Sequence, residues 1–291
     1  MIIVKLKGGL GNQLFQYASG RRLAEVHKTV LKMDTTAYYY GGPRQYELKH
    51  FNIRENIAVT AEIEKLVHLK QSKIQRFLHG LFHNHPKRPP TYICANYSYF
   101  NPEILNLPDN IYLEGYWCSE KYFIDIADII RNEFTVKTPQ TGKNKELAEL
   151  INSTESVSIH IRRGDYIEDQ KAEQSHGICT LDYYYGCIER VTSKLTKPHF
   201  FIFSDDPRWC KNNLQFLQPA TFIEHNSPSQ SYEDLRLMSQ CRHNIIANST
   251  FSWWGAWLNP NKDKLVLAPR KWLARKDKNS KDIIPSQWIA K

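Results

Sequence analysis

Apolar positions along this chain switch between two spacings, and the order of the switches predicts an α/β protein. Ile2–Leu6 is a short β-branched run broken by Gly8, Gly9 and Gly11. Behind it Leu14, Phe15, Ala18, Arg22, Leu23 and Val26 recur at helical spacing, and Val30–Met33 predicts a second strand ending at Asp34. From about Tyr38 to Asn110 the pattern weakens among Tyr, His and Pro. There Ala61–Leu81 predicts a helix and His83–Thr91 a loop. Ile111–Tyr116 predicts a strand and Tyr122–Phe134 a helix carried by Phe123, Ile126, Ile129, Ile130 and Phe134. The polar stretch Thr138–Lys145 reads as a linker.

The second half alternates more regularly. Strands are predicted at Val157–Ile161, His199–Phe203, Thr221–Glu224, Asn244–Ala247 and Leu265–Ala268, with helices at Asp182–Leu195, Glu233–Gln240 and Phe251–Leu258. The pattern implies two α/β domains, residues 1–145 and 146–291, facing across a cleft. Ligands of open α/β sheets sit beyond the carboxyl ends of the strands.

Composition narrows the class. The chain has 291 residues, 41% of them hydrophobic and 24% charged, which fits a folded protein and excludes global disorder. No apolar run reaches the ~18 residues of a membrane helix, and the N-terminus lacks the apolar stretch of a secretory signal, so a cytoplasmic protein is expected. The six cysteines form no C-x-x-C pair and no zinc-site spacing, and are expected as reduced thiols. Net charge is +9, with nine Lys/Arg against three Asp in residues 261–291 and a second cationic stretch at Leu66–Pro90. Such a balance fits nucleic acid, an anionic membrane surface or a phosphorylated small molecule, or simply a solvated basic surface.

Four local patterns bear chemistry. In Ser158–Tyr166 (S-I-H-I-R-R-G-D-Y), alternation puts His160 and Arg162 on one strand face and Arg163 on the other, with Gly164 turning the chain before Asp165. Arginine forks suit phosphate oxygens, and an Arg–Asp pair fixing a loop is the structural alternative. In Ala247–Gly255 a strand runs into Asn248, Ser249, Thr250, Phe251 and Ser252 at a helix start. This is either an N-cap or an anion site. The Gly8–Gln13 turn (G-G-L-G-N-Q) follows a strand as a phosphate loop would, but lacks both G-x-G-x-x-G and G-K-[ST] spacing. Its Asn12 and Gln13 are expected to project toward the cleft. Asp205 and Asp206, at a strand end before Pro207, either hold a metal or cap the next helix, and capping is preferred because no D-x-D triplet exists. Asp234 lies near a helix start, as a dipole-compensating acid or an acceptor for a nucleobase.

Taken together, G-G-L-G-N-Q-L-F-Q-Y-A (8–18), H-I-R-R-G-D-Y (160–166), F-S-D-D-P (203–207), D-L-R-L-M-S-Q-C (234–241) and N-I-I-A-N-S-T-F-S-W-W-G-A-W-L-N (244–259) resemble the α-1,2-fucosyltransferases of glycosyltransferase family 11. The resemblance implies a GT-B-like fold of two Rossmann-like domains and inverting transfer of L-fucose from GDP-β-L-fucose to the 2-hydroxyl of a terminal β-galactoside. It implies no cofactor and no metal. It also implies that Arg162 meets the β-phosphate, that His160 and Asp234 lie near the guanine, and that Thr250, Phe251 and Ser252 begin the phosphate-binding helix. Asn12 would reach the donor from the N-terminal turn, with Gly11 and Gln13 beside it and Arg163 and Ser249 completing the donor set. Asp165, Glu168, Asp169, Asp34 and Glu114 are the candidate bases for the acceptor hydroxyl. A bacterial cytosolic enzyme acting on a lipid-linked or soluble glycan follows, with the basic tail touching the inner membrane face. The remaining readings are another GDP-sugar transferase of the superfamily with a different linkage, and a non-enzymatic basic binder of glycan or nucleic acid.

Overall fold

The computed structural model describes residues 1–39, 41–42, 44–67, 89–95, 99–164, 177–274 and 281–291. Two parallel sheets carry the fold. The first contains β1 (Ile2–Lys5), β2 (Leu31–Asp34), β3 (Tyr92–Ala95) and β4 (Ile111–Gly115) in the order β2-β1-β4-β3. Ile2 pairs with Leu31 on one side and Ile111 on the other, so β1 is buried between parallel partners, and its continuous apolar run follows from that. The second contains β5 (Glu155–Ile161), β6 (Pro198–Ser204), β7 (Ala220–Ile223), β8 (His243–Ile245), β9 (Val266–Ala268) and β10 (Ile289–Ala290) in the order β10-β9-β8-β5-β6-β7. Numbered from β5 this is 3-2-1-4-5-6 with its ends reversed, the doubly wound order that opens a crevice between its first and fourth strands. Those strands are β5 and β8, paired from Val157↔His243 to Ile159↔Ile245.

Eight α-helices are described: α1 (Leu10–Val26), α2 (Thr60–Val67), α3 (Ala127–Glu133), α4 (Gly142–Ser153), α5 (Leu181–Thr192), α6 (Pro207–Asn213), α7 (Ser231–Gln240) and α8 (Thr250–Leu258). Helix α1 is buried on nearly every side. It lies on β1, where a Cβ at Gly20 would come within 2.9 Å of Leu31, and its other face meets α8 of the second sheet. One aromatic core thus runs through both halves: Phe15, Phe123 and Phe134 pack with Trp253, Trp254 and Trp257, with Phe15 and Trp253 centroids 4.5 Å apart. A separate cluster of Val157, Ile159, Ile161, Tyr184 and Val191 fills the other face of the second sheet under α5.

Two expectations are corrected. Tyr122–Phe134 is not one helix. Ser119 caps a 3₁₀ turn at Glu120–Tyr122, Phe123 leaves helical backbone at φ −150° to enter the tryptophan core, and α3 starts only at Ala127. Thr138–Lys145 is not all linker, because α4 begins at Gly142 and buries Asn144. The expected boundary at 145/146 therefore falls inside that helix. The basic C-terminal stretch does not trail away. Trp253 Nε1 donates to Ile283 O at 2.7 Å, and β10 joins the sheet beside β9. Its residues 275–280 lie outside the described residues, as do most of the expected helix 61–81 and loop 83–91.

Candidate active site

The H-I-R-R-G segment leaves β5, and the N-S-T-F-S segment follows β8, so these two motifs flank the sheet's switch point. Beyond β5, Asp205 from the end of β6 accepts Arg162 Nε at 3.1 Å through one oxygen and the Arg163 N–H at 2.9 Å through the other. Asp206 accepts the Trp209 N–H at 3.0 Å and caps α6. The acidic pair is therefore split, one carboxylate fixing an arginine and one capping a helix. Arg163 sets its guanidinium 4.2 Å above the Trp209 ring, with Asp206 at 3.9 Å.

His160 is 3% exposed, and among the described residues its Nδ1 has no hydrogen-bond partner. Burial, with the Arg162 charge added, drives its pKa down to about 3, so the ring is neutral across the working range. The Phe251 ring lies against it with centroids 5.6 Å apart.

At the start of α8, Ser249 is the N-cap, its hydroxyl accepting the Phe251 N–H at 3.3 Å. Ser252 is buried and donates to Ser249 O at 3.4 Å. Thr250 donates to Asn12 Oδ1 at 3.0 Å, so the two halves meet side chain to side chain at this point. Gly11 makes the approach sterically allowed, since a Cβ there would stand 2.5 Å from the Phe251 nitrogen, and its carbonyl accepts Trp254 Nε1 at 3.0 Å. Gly8, at φ +80°, makes the preceding turn. Gln13 does not project toward a cleft. It is buried, donating to Gly8 O and Gln45 O and accepting the Glu47 N–H, because a buried amide must spend its hydrogen bonds inside. The far end of α8 meets two cations. Arg131 donates to Trp257 O at 2.6 Å, and Lys264 donates to Ala256 O and Asn259 O at 2.8 and 2.7 Å. These complement the negative pole of the helix.

Asp234, in the first turn of α7, accepts Asn226 Nδ2 at 2.7 Å, and Asn226 in turn pairs with Asn144 of α4. Burial raises its pKa to about 6 against the Asn226 hydrogen bond, with Glu233 adding to the rise.

Of the candidate bases, Asp165, Glu168 and Asp169 lie outside the described residues. Asp34 is buried and already accepts Tyr112 Oη at 2.5 Å and the Thr36 N–H at 2.9 Å. Burial alone would raise the Glu114 carboxyl, but Tyr92, Lys5 and Lys7 hold it below the usual range. Both are occupied by structural partners, which sequence spacing does not reveal. Sequence reasoning also missed Asp205 as the partner of Arg162, and Trp209 and Asn226 altogether, since each pairing joins separate elements. Among the described residues no group of three His, Cys, Asp or Glu side chains is arranged to hold a metal ion, and no helix is long and apolar enough to cross a membrane.

Comparison with known proteins places the chain among sugar transferases. The family model described as Glycosyl transferase family 11 matches residues 1–291. An Escherichia coli α-1,2-colitosyltransferase is 33% identical over 301 aligned residues, covering 99% of this chain and 98% of its own length. Human galactoside α-(1,2)-fucosyltransferase 1 is 25% identical over 50% of this chain and 42% of its own. Among solved structures, the NodZ α-1,6-fucosyltransferase soaked with GDP-fucose matches with a TM-score of 0.52 at 14% identity, covering 89% of this chain and 92% of that one. At that identity the likeness speaks for the α/β fold.

Proposed function

The chain belongs to glycosyltransferase family 11, and from that premise we propose that it transfers L-fucose from GDP-β-L-fucose, with inversion, to the 2-hydroxyl of a terminal β-galactoside in a lipid-linked or soluble glycan. The observation that carries the reading is the pairing of a fixed Arg162 with the neutral His160 Nδ1, unpartnered among the described residues, at the switch point. Family membership makes the chain an enzyme, which displaces the non-enzymatic binder.

The acceptor oxygen attacks the anomeric carbon as the bond to GDP breaks, and negative charge grows on the β-phosphate. Arg162, held through Nε by Asp205, is the preorganised cation for that charge. The start of α8 adds partial positive charge, and Arg131 and Lys264 stabilise the opposite pole of the same helix. His160 offers a neutral polar atom beside Arg162. Asp234 is the acceptor for N–H groups of the guanine edge, and Asn12 reaches the donor from the N-terminal half. Asp165 is the base nearest Arg162 in sequence, and deprotonates the acceptor hydroxyl in this reading.

A second reading changes only the donor. The E. coli relative is named for colitose, which is fucose without its 3-hydroxyl, and it aligns over nearly the whole chain. One experiment separates the two: incubation with lactose and either GDP-fucose or GDP-colitose, with and without EDTA, followed by linkage analysis. A 2-linked fucosyl-lactose formed in EDTA is the expected product, and Arg162→Ala lowers its rate roughly 10²–10³-fold. Product from GDP-colitose alone would transfer the assignment to the second reading. Normal turnover by Arg162→Ala would remove Arg162 from the mechanism.

A further inference from the structure

Helix α1 begins without a cap of its own: Gly9 stands at the N-cap with no side-chain hydrogen bond, and the first turn holds no acidic residue. Glu47, just ahead of the 3₁₀ turn Leu48–His50, ties that start to the rest of the fold. Burial raises the pKa of its carboxylate, and Ser231, Arg44 and the Leu10 N–H oppose that rise; its own N–H donates to Gln13 Oε1 at 2.9 Å. The same carboxylate accepts the hydroxyl of Ser231, the first residue of α7. One half-buried residue therefore joins the opening turns of α1, through its N–H, to the start of α7, through its carboxylate. Next to this contact the His50 ring stacks on Tyr232, with centroids 4.1 Å apart and planes at 15°.

Two helix N-termini brought together present like partial charges, and an anion between them turns repulsion into attraction. What each helix carries makes the contact functional. Helix α1 carries Asn12, bonded to Thr250 at the start of α8. Helix α7 carries Asp234 in its first turn.

We propose that Glu47 is a positioning residue for nucleotide recognition: by tying the start of α1 to the start of α7 it sets where Asp234 stands relative to Asn12 and Arg162. It governs the affinity and base selectivity of the donor pocket rather than the rate of sugar transfer. The inference rests on the donor reading above.

Calorimetric titration with GDP and with IDP, which lacks the guanine 2-amino group, tests it together with steady-state kinetics on GDP-fucose. Glu47→Ala is expected to weaken GDP binding about tenfold, the scale of losing a hydrogen bond to a charged group. KM should rise while kcat changes little, and the preference for GDP over IDP should shrink. Ser231→Ala, which leaves the α1 contact intact, should reproduce the loss of selectivity. Glu47→Gln keeps an acceptor oxygen and should retain most of the affinity. The double variant should bind no worse than Glu47→Ala, because both changes remove one shared contact. Unchanged GDP affinity and GDP/IDP ratio in folded Glu47→Ala would overturn the proposal, as would a loss confined to kcat. If Glu47→Ala does not fold, Ser231→Ala decides alone, and wild-type behaviour from it is the refuting result. Failure of the wild-type protein to bind GDP would bring down the donor reading and this inference with it, an outcome no Glu47 variant can mimic.

Discussion

The Asp234 carboxyl is bonded to Asn226, lies beside Glu233, and is buried enough to carry a pKa of about 6 instead of its ordinary 3.8. In the pH window between those values the folded protein holds a proton that the unfolded chain has lost. Stability from this group is therefore present at low pH and is lost as pH rises through about 6. Above that pH the unliganded enzyme carries a desolvated charge that Asn would not. Asp234→Asn should raise the melting temperature by a few degrees at pH 7.5, on the order of 1–2 kcal/mol. The gap should close as pH falls toward 4, while GDP affinity drops. Thermal melts of both proteins between pH 4 and 8 check the sign, and a gap independent of pH would mean the effect is not electrostatic. Residues kept for a ligand commonly cost stability when the ligand is absent.

Helix α8 shows how one element is committed to one end. Ser249 caps its start, Arg131 and Lys264 close its finish, and its tryptophans are buried among Phe15, Phe123 and Phe134. Burial drives the Lys264 pKa down to about 8, with nearby Arg131 adding to the shift. The start of α8 abuts α1 at Gly11, where there is no space for one more carbon. Gly11→Ala should therefore force the two helix starts apart. We expect a destabilisation of about 1–3 kcal/mol, as for overpacking against backbone, and a loss of activity exceeding what stability alone explains, because Asn12 and Thr250 separate. Gly42→Ala, at a position with nothing among the described residues within 4 Å, is the neutral control. Equal behaviour of the two variants in melting and turnover would refute the close-approach argument.

For the molecule as a whole, the core shared by α1 and α8 matters more than the division into two sheets. Phe15 and Phe134 of the first half find their partners in Trp253 and Trp254 of the second. Residues 281–291 return to bind both halves, Asp282 accepting Lys121 and the Phe100 N–H while β10 extends the second sheet. Removing either half would expose an aromatic face. Calorimetry should thus show a single unfolding transition, shifted as a unit by GDP. A fragment of residues 1–141 should lack native-like spectral dispersion. Two resolved transitions, or a folded fragment, would show that the sheets are independent.

How far the sequence went, and where it stopped, follows from the range of the forces involved. The β5 and β8 strands, the α1 and α8 helices and the motifs at their ends are legible locally, because period, glycine turns and capping hydroxyls act over a few residues. The parallel order of the second sheet makes β5 and β8 neighbours, so H-I-R-R-G and N-S-T-F-S follow two adjacent strands. Local spacing did not foresee the break at Phe123, since the periodicity of 122–134 is helical and only the tryptophan core pulls Phe123 out of line. Nor did it foresee the burial of Gln13, whose partners Gln45 and Glu47 lie far along the chain. The sequence by itself determined the α/β class, the family and the residues that gather at the strand ends. Only the tertiary structure decided which acid holds Arg162, which caps a helix, and that Glu47 joins two helix starts, because each is a pairing between groups that chain topology alone brings within hydrogen-bonding distance.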